Sequence, residues 1–365
     1  MKVFYLGKKI EKIVTGGERQ VYEFLDYIEK MGDSVCFINL KNSRNIFKDY
    51  ISIIKEINSF KNHQTTDKTI IIGDYSQRFY IFLPNLYLKL IKRAKIALLI
   101  GAFNFDYRQS RLKNLIDLLI TYLFFFPGDL IMTTGKVINN RLKKMGLFNK
   151  AIVAIYPALR QELLTEALTT CRNSNGNNDI DTYNLITVGR FHPVKGYEYL
   201  IEAISLLKEH NVNLWIVGDT QRNRQYTEKI MALIKKFDLN SKVKIIGAID
   251  KDSELAKLYN SAHIYIHSST WETSPVSVCE GILFGLPVIA TDVGGTSEYL
   301  EDGVDSILVP PKDPAALANA IRKLIIDKKL YLEYANNTFK ARTKFLNRRW
   351  SDVAKEYYQA LMAHV

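Results

Sequence analysis

The residues best equipped for chemistry fall in one stretch, Trp271 to Glu298, which reads WETSPVSVCEGILFGLPVIATDVGGTSE. Two carboxylates, Glu272 and Glu280, stand there with seven residues between them. Ser274-Pro275 has the character of a helix start, so a helix is expected from Val276 towards Phe284, ended by Gly285. Glu272 then lies in the loop before the helix, at the end where unbonded N–H groups and the helix dipole favour an anion. Glu280 lies about one turn in, on a face able to look into the same cleft. A loop carboxylate, a helix N-terminus and a second carboxylate suit a ligand with hydroxyls at both ends and phosphates between them. A nucleotide sugar is such a ligand. Leu286 to Ala290 reads as a buried strand, and a Gly294-Gly295 turn follows, with Glu298 three residues beyond it.

Upstream, the apolar strand Leu185–Val188 runs into Gly189-Arg190 and then Lys195-Gly196. This turn resembles the G-R-x4-K-G segment, and Glu272 and Glu280 the E-x7-E signature, of retaining glycosyltransferases of family 4, the group 1 enzymes with the GT-B fold. The resemblance covers the C-terminal half closely and the N-terminal half more loosely. It implies an α/β chain of two Rossmann-like domains whose parallel sheets face each other across a cleft. It also implies sugar transfer with retention from a nucleotide sugar to a glycan or lipid-linked acceptor, as in cell-surface polysaccharide or glycolipid synthesis. The donor would be held by the C-terminal domain and the acceptor by the N-terminal one.

Moving a sugar off a nucleoside diphosphate builds negative charge on the leaving phosphate, so cations at the phosphates matter more than a strong nucleophile. By the resemblance, Arg190 grips phosphate oxygens through its fork of donors while Lys195 acts as a point charge. It likewise gives Glu280 the ribose hydroxyls, Glu272 the sugar hydroxyls, and the backbone N–H groups of Val276 and Ser277 the phosphate or hexose. Ala248 and Ile249, after the strand Val243–Ile246, match the family's base-binding loop. Gly16-Gly17, between the first strand and the first helix, match its early glycine pair; two glycines let backbone approach a phosphate or sugar closely.

One position departs from the pattern. Many family members carry a histidine near the end of the strand matching Ile96–Ile100, and here that segment continues Gly101-Ala102-Phe103-Asn104-Phe105-Asp106. Either Asn104 or Asp106 serves on the acceptor side instead, or the donor phosphate itself takes the acceptor proton. His63 falls in a polar run, and His263 and His267 read as packing residues on or beside a strand. Asp-x-Asp strings at Asp179/Asp181 and Asp250/Asp252 read as solvated carboxylates. No metal and no cofactor beyond the donor substrate is expected.

The elements that position these residues follow from the hydrophobic pattern. Strands are expected at Val3–Leu6, Val35–Leu40, Thr69–Ile72, Ile96–Ile100, Asp129–Thr133 and Ala151–Ile155. A helix after Gly17 would bury Val21, Leu25, Ile28 and Met31. A polar stretch around Thr169–Asp179 interrupts the pattern and reads as a linker. Beyond it strands at Leu185–Val188, Leu214–Val217, Val243–Ile246, Ile264–Ile266, Val288–Ala290 and Ile307–Val309 alternate with helices, which means a parallel sheet covered on both faces. The domains expected are 1–168, a linker at 169–183, 184–344, and a last helix at 345–365 that by the resemblance crosses back onto the first domain.

The chain of 365 residues carries a net charge of +12. Residues 1–165 hold 26 Lys and Arg against 14 Asp and Glu, while the remainder is balanced, so the whole excess lies in the first half. A basic face attracts anionic lipid, nucleic acid or an acidic glycan. Basic residues flank aromatic and aliphatic segments at 79–95 and 108–126, the second too short to cross a bilayer, which needs about 20 residues. They read as core helices or as a surface resting on an anionic membrane. Three scattered cysteines argue for a reducing cytoplasm, so the location expected is cytoplasmic, peripheral at the inner membrane face. A non-catalytic sugar-nucleotide-binding subunit and a sugar-nucleotide epimerase are the alternatives. A nucleic-acid-binding protein would have no use for the carboxylate pair, and nucleic acid is not expected as a partner.

Overall fold

The computed structural model describes residues 2–7, 16–39, 69–74, 95–100, 129–144, 151–169 and 180–364. They divide into two units: Met1–Pro157 with Trp350–Val365, and Ala158–Arg349. Asn104, Asp106, His63, Asp179 and both basic apolar segments lie outside the described residues, apart from the strand residue Lys95.

Unit 1 holds β1 (Lys2–Gly7), α1 (Gly16–Lys30), β2 (Ser34–Asn39), β3 (Thr69–Asp74), β4 (Lys95–Ile100), β5 (Leu130–Thr133), α2 (Lys136–Lys144) and β6 (Ala151–Ala154). Its six strands form one parallel sheet in the order β2-β1-β3-β4-β5-β6. Apolar runs such as Ile96–Leu99 and Leu130–Met132 are wholly buried, as the two covered faces of a parallel sheet require. Gly16 and Gly17 are the first two residues of α1, where a loop ahead of the helix was expected. Their N–H groups belong to the helix N-terminus, where no earlier helical carbonyl can reach them. Val21, Leu25 and Ile28 are buried as the 3.6-residue period demands, and Phe24 joins them. Met31 does not: the helix ends at Lys30, and Met31 is exposed on the turn beyond it.

Unit 2 starts with α3 (Gln161–Thr169), a helix assigned from sequence to the first domain, so the boundary falls at Ala158 instead of after residue 168. The reason is packing: α3 buries Leu163, Leu164 and Ala167 and rests on helices of unit 2. Most of the expected linker, 170–179, lies outside the described residues. There follow β7 (Tyr183–Val188), α4 (Tyr197–Ser205), β8 (Val212–Val217), α5 (Arg224–Lys236), β9 (Val243–Gly247), α6 (Asp252–Ser261), β10 (Ile264–His267), α7 (Val276–Leu283), β11 (Val288–Thr291), β12 (Ser306–Val309), α8 (Pro314–Ile326), α9 (Lys328–Ala341) and α10 (Thr343–Leu346). The second parallel sheet runs β12-β11-β10-β7-β8-β9. Some of its helices start at side-chain caps. Asp313 accepts from Ala316 N–H at 2.9 Å ahead of Pro314, and Asp327 accepts from Leu330 N–H at 2.9 Å.

The chain returns to unit 1 in α11 (Trp350–His364). Tyr357 is fully buried with its ring 5.2 Å from Phe24 of α1, and Tyr358 donates to Asp33 at 3.0 Å. Removing a buried aromatic of this size leaves a cavity that neighbours refill only in part. Tyr357→Ala is therefore expected to lower the stability of unit 1 by about 3–5 kcal/mol. Denaturant melts with a probe in each unit would show the early transition confined to unit 1.

Candidate functional site

The chemistry-bearing loops of unit 2 all leave the carboxyl ends of strands, where ligands of open parallel sheets bind. Gly189-Arg190 follows β7, Ala248-Ile249 follows β9, the Glu272 loop follows β10, and Gly294-Gly295 follows β11. Close backbone packing ties three of these loops together. Gly196 takes φ +61° and presses on the Ser268 carbonyl, which a β-carbon there would approach to 2.3 Å. Ser268 Oγ donates to the Lys195 carbonyl at 2.9 Å, and Thr270 N–H to the Val194 carbonyl at 2.7 Å. Gly294, at φ +55°, lies against the Glu272 carbonyl, which accepts from Gly295 N–H at 3.1 Å. The sequence thus needed glycine at both turns for contact, not only for flexibility.

Lys195 ends a short 3-10 turn, Pro193–Lys195, capped by His192, whose Nδ1 accepts from Val194 N–H at 3.2 Å. Its Nζ meets Glu272 Oε1 at 2.6 Å, and both side chains are largely buried. Ser269 Oγ donates to the same oxygen at 2.8 Å. His267 Nε2 lies 3.4 Å from it, outside hydrogen-bond geometry. Burial by itself would raise the Glu272 pKa; the Lys195 ammonium outweighs it and holds the carboxyl well below the usual carboxylate range. Burial, with Lys195 adding to it, lowers the pKa of His267, which keeps the imidazole neutral near pH 7. Sequence assigned His267 to packing alone, and its stacking on Tyr265 agrees with that, but the ring also flanks Glu272. Arg190 is exposed, and it acts with Lys195 to depress the His192 pKa beyond the effect of burial, so the two cations share one locality.

Glu280 lies just over one turn into α7 and is buried. Its Oε2 accepts from Tyr259 Oη at 2.8 Å, and its Oε1 lies 3.4 Å from Arg160 Nη2. Arg160 also pairs with Asp252, the first residue of α6. Asp252, read from sequence as solvated, is thus mostly buried and paired. Val276 and Ser277 open α7 behind Pro275, whose position carries no side-chain cap, so their N–H groups have no earlier helical carbonyl to bond. Ala248 is exposed and Ile249 half-buried in the segment between β9 and α6. Unit 2 therefore gathers Arg190, Lys195, Glu272, Val276, Ser277, Glu280, Ala248 and Ile249 along one sheet edge. Gly16 and Gly17 belong to unit 1. Arg160 and Tyr259 escaped the sequence reading, as did the pairing of Asp252 with Arg160, because the partners lie 21 to 120 residues away and no local pattern marks them.

Residues 172–341 match the family model described as glycosyl transferases group 1. An uncharacterized glycosyltransferase of Methanocaldococcus jannaschii is 33% identical over 186 residues, 51% of this chain and 46% of that protein, so the chain spans about half of that relative's length. The capsular polysaccharide biosynthesis glycosyltransferase CapH of Staphylococcus aureus is 23% identical over 318 residues, 86% of this chain and 82% of CapH. Among solved structures, Anabaena HepE in complex with UDP superposes with a TM-score of 0.73 at 16% identity over 100% of both chains. HepE has also been solved with UDP-glucose. The chain is built on the GT-B fold, and its residues 172–341 match the group 1 glycosyl transferase model.

Proposed function

We propose that the chain is a retaining glycosyltransferase of family 4 that moves a sugar from a nucleoside diphosphate sugar to a glycan or lipid-linked acceptor in cell-surface polysaccharide or glycolipid synthesis. The observation that carries this reading is the meeting of Lys195 with Glu272 beside Arg190, at the strand edge that also presents α7 and Glu280. Lys195 has three ammonium donors and gives one to Glu272, which aims the remaining two. Arg190, exposed and always charged, takes the phosphate oxygens through its fork. Together they stabilise the charge that grows on the leaving diphosphate, and no metal is needed for that task. The Lys195, Ser269 and His267 contacts all fall on Oε1 of Glu272, so Oε2 is the oxygen assigned to the sugar hydroxyls. Glu280 takes the ribose, the turn at Ala248 and Ile249 the base, and the N–H groups of Val276 and Ser277 the phosphate or hexose.

Similarity to CapH, a capsular polysaccharide enzyme by its name, favours a surface glycan as product. The UDP and UDP-glucose complexes of HepE make uridine diphosphate sugars the first donors to try. No described helix is long and apolar enough to cross a membrane. The excess positive charge of residues 1–165 supports peripheral contact with an anionic cytoplasmic leaflet. Either Asn104 or Asp106 serves on the acceptor side, or the donor phosphate itself takes the acceptor proton.

The test is a titration with UDP-, GDP-, dTDP- and ADP-sugars that follows binding and slow hydrolysis. One donor is expected to bind and be hydrolysed, and Glu280→Ala to weaken it at least about tenfold, as expected when hydrogen bonds to a charged group are lost. Binding without turnover under any acceptor would favour the non-catalytic subunit, and no binding at all would sink the reading. Arg190→Gln removes an exposed cation without disturbing the core, so kcat should fall by about 10²–10³ at an unchanged Tm.

Acid provides a second check. Because the folded-state pKa of Glu272 is depressed, its stabilising contribution is present above the unfolded carboxylate value of about 4.3 and is lost as pH falls towards the folded value. Glu272→Gln should therefore be less stable than the parent at neutral pH, with the gap narrowing below about pH 4. Urea melts across that range measure it, and a constant gap would refute the charge pairing.

A further inference from the structure

Arg160 stands immediately before α3 and points its guanidinium at two carboxylates. Nη1 pairs with Asp252 Oδ1, and Nη2 lies 3.4 Å from Glu280 Oε1. Arg160 is under a third exposed, Asp252 is 13% exposed and Glu280 6%, so the bridge is shielded from solvent on its carboxylate side. Asp252 and Tyr259 are seven residues apart on α6, two turns, and so on the same face. That face reaches Glu280 twice: directly through the Tyr259 hydroxyl at 2.8 Å, and through Asp252 and Arg160. α6 begins three residues after Ile249, so whatever fixes its first turn also fixes where the Ala248-Ile249 turn stands relative to Glu280.

An ionised carboxylate offers about four lone-pair sites. Tyr259 occupies one on Oε2 and Arg160 one on Oε1, and each oxygen retains one site. Two sites on a carboxylate whose rotation is locked match two hydroxyls on adjacent carbons, as in ribose. A carboxylate held only by Tyr259 could turn about its terminal bond and would accept from one hydroxyl as readily as from two. Arginine suits the bridging because its planar fork holds two acceptors in a fixed relation, which the point charge of lysine does not.

We propose that Arg160 is a positioning residue for nucleoside recognition: by bridging Asp252 and Glu280 it fixes the Glu280 carboxylate against both ribose hydroxyls, so that the site selects ribonucleoside over 2′-deoxyribonucleoside diphosphates. The proposal rests on the assignment of Glu280 to the donor ribose. It adds the residue that enforces the choice and excludes dTDP-sugars as the natural donors.

The experiment is calorimetric titration of the full chain with UDP, GDP and ADP and with dUDP, dGDP and dADP, for the parent and for Arg160→Met, Arg160→Lys and Asp252→Asn. In the parent one ribonucleotide should bind at least about tenfold more tightly than its deoxy form, the size expected for a hydrogen bond to a charged group. Arg160→Met should bring that ratio close to one by weakening the ribonucleotide, with the deoxynucleotide changed less than about threefold. Should Arg160→Met fail to fold with its two carboxylates uncompensated, the milder variants carry the test. Arg160→Lys and Asp252→Asn keep part of the charge balance and should lower the ratio severalfold. A parent ratio near one, or variants that weaken both nucleotides equally with the ratio intact, overturns the positioning role while nucleotide binding stands. If none of the six binds the parent, the donor-site reading itself is overturned, and the role of Arg160 with it.

Discussion

A carboxylate taken out of water must find a cation or become protonated, and Glu272 finds Lys195 from the loop of a different strand. Removing one partner of such a pair strands the other charge at a cost of order 3–5 kcal/mol. The β7 and β10 loops are therefore bound to each other electrostatically as well as through backbone. The same interaction keeps Glu272 ionised, keeps Lys195 aimed, and sets how far Gly196 must approach the Ser268 carbonyl. Side chains that serve a ligand here also hold the loops in which they sit.

That economy explains the glycines. A β-carbon at Gly294 would meet the Glu272 carbonyl at 1.6 Å, and one at Gly295 the Thr273 carbonyl at 2.0 Å, so the β11 loop could not close on the β10 loop with any larger residue. Thr291 adds a side-chain tie from the end of β11 to the Ser269 carbonyl at 2.5 Å. The site is thus a lattice of neighbouring strand ends, each immobilised by the next, and such fixed donors lose little to reorganisation when charge develops.

Much of this was legible in the sequence because it is local. Apolar runs such as Ile264–Ile266 and Val288–Ala290 announce strands by period and length, and strand-helix alternation announces a parallel sheet. The helix beginning at Val276 was marked by Pro275, and its end by Gly285 at φ +67°. What could not be read is tertiary. Arg160 looks like any cation ahead of a helix until α3 lies beside α6, 92 residues on, and Asp252 looks solvated for the same reason. The polar stretch near residue 170 drew the domain boundary towards itself, whereas the apolar face of α3 had already committed that helix to the second core. Met31 continued the period of α1 one step beyond its last residue, Lys30, just before Gly32, at φ +84°, turns the chain away.

Unit 2 is an insertion within unit 1, since Trp350–Val365 folds with Met1–Pro157. The order of synthesis therefore differs from the order of completion. Unit 2 is a continuous segment and can close as soon as residue 349 is clear of the ribosome, while unit 1 waits for α11. At roughly 5–20 residues per second, the intervening segment 158–349 imposes a wait on the order of 10–40 s. During it the surface of α1 around Phe24 lacks its later cover, Tyr357. A chain of this design leaves one half-domain open for the whole time that the other is being made.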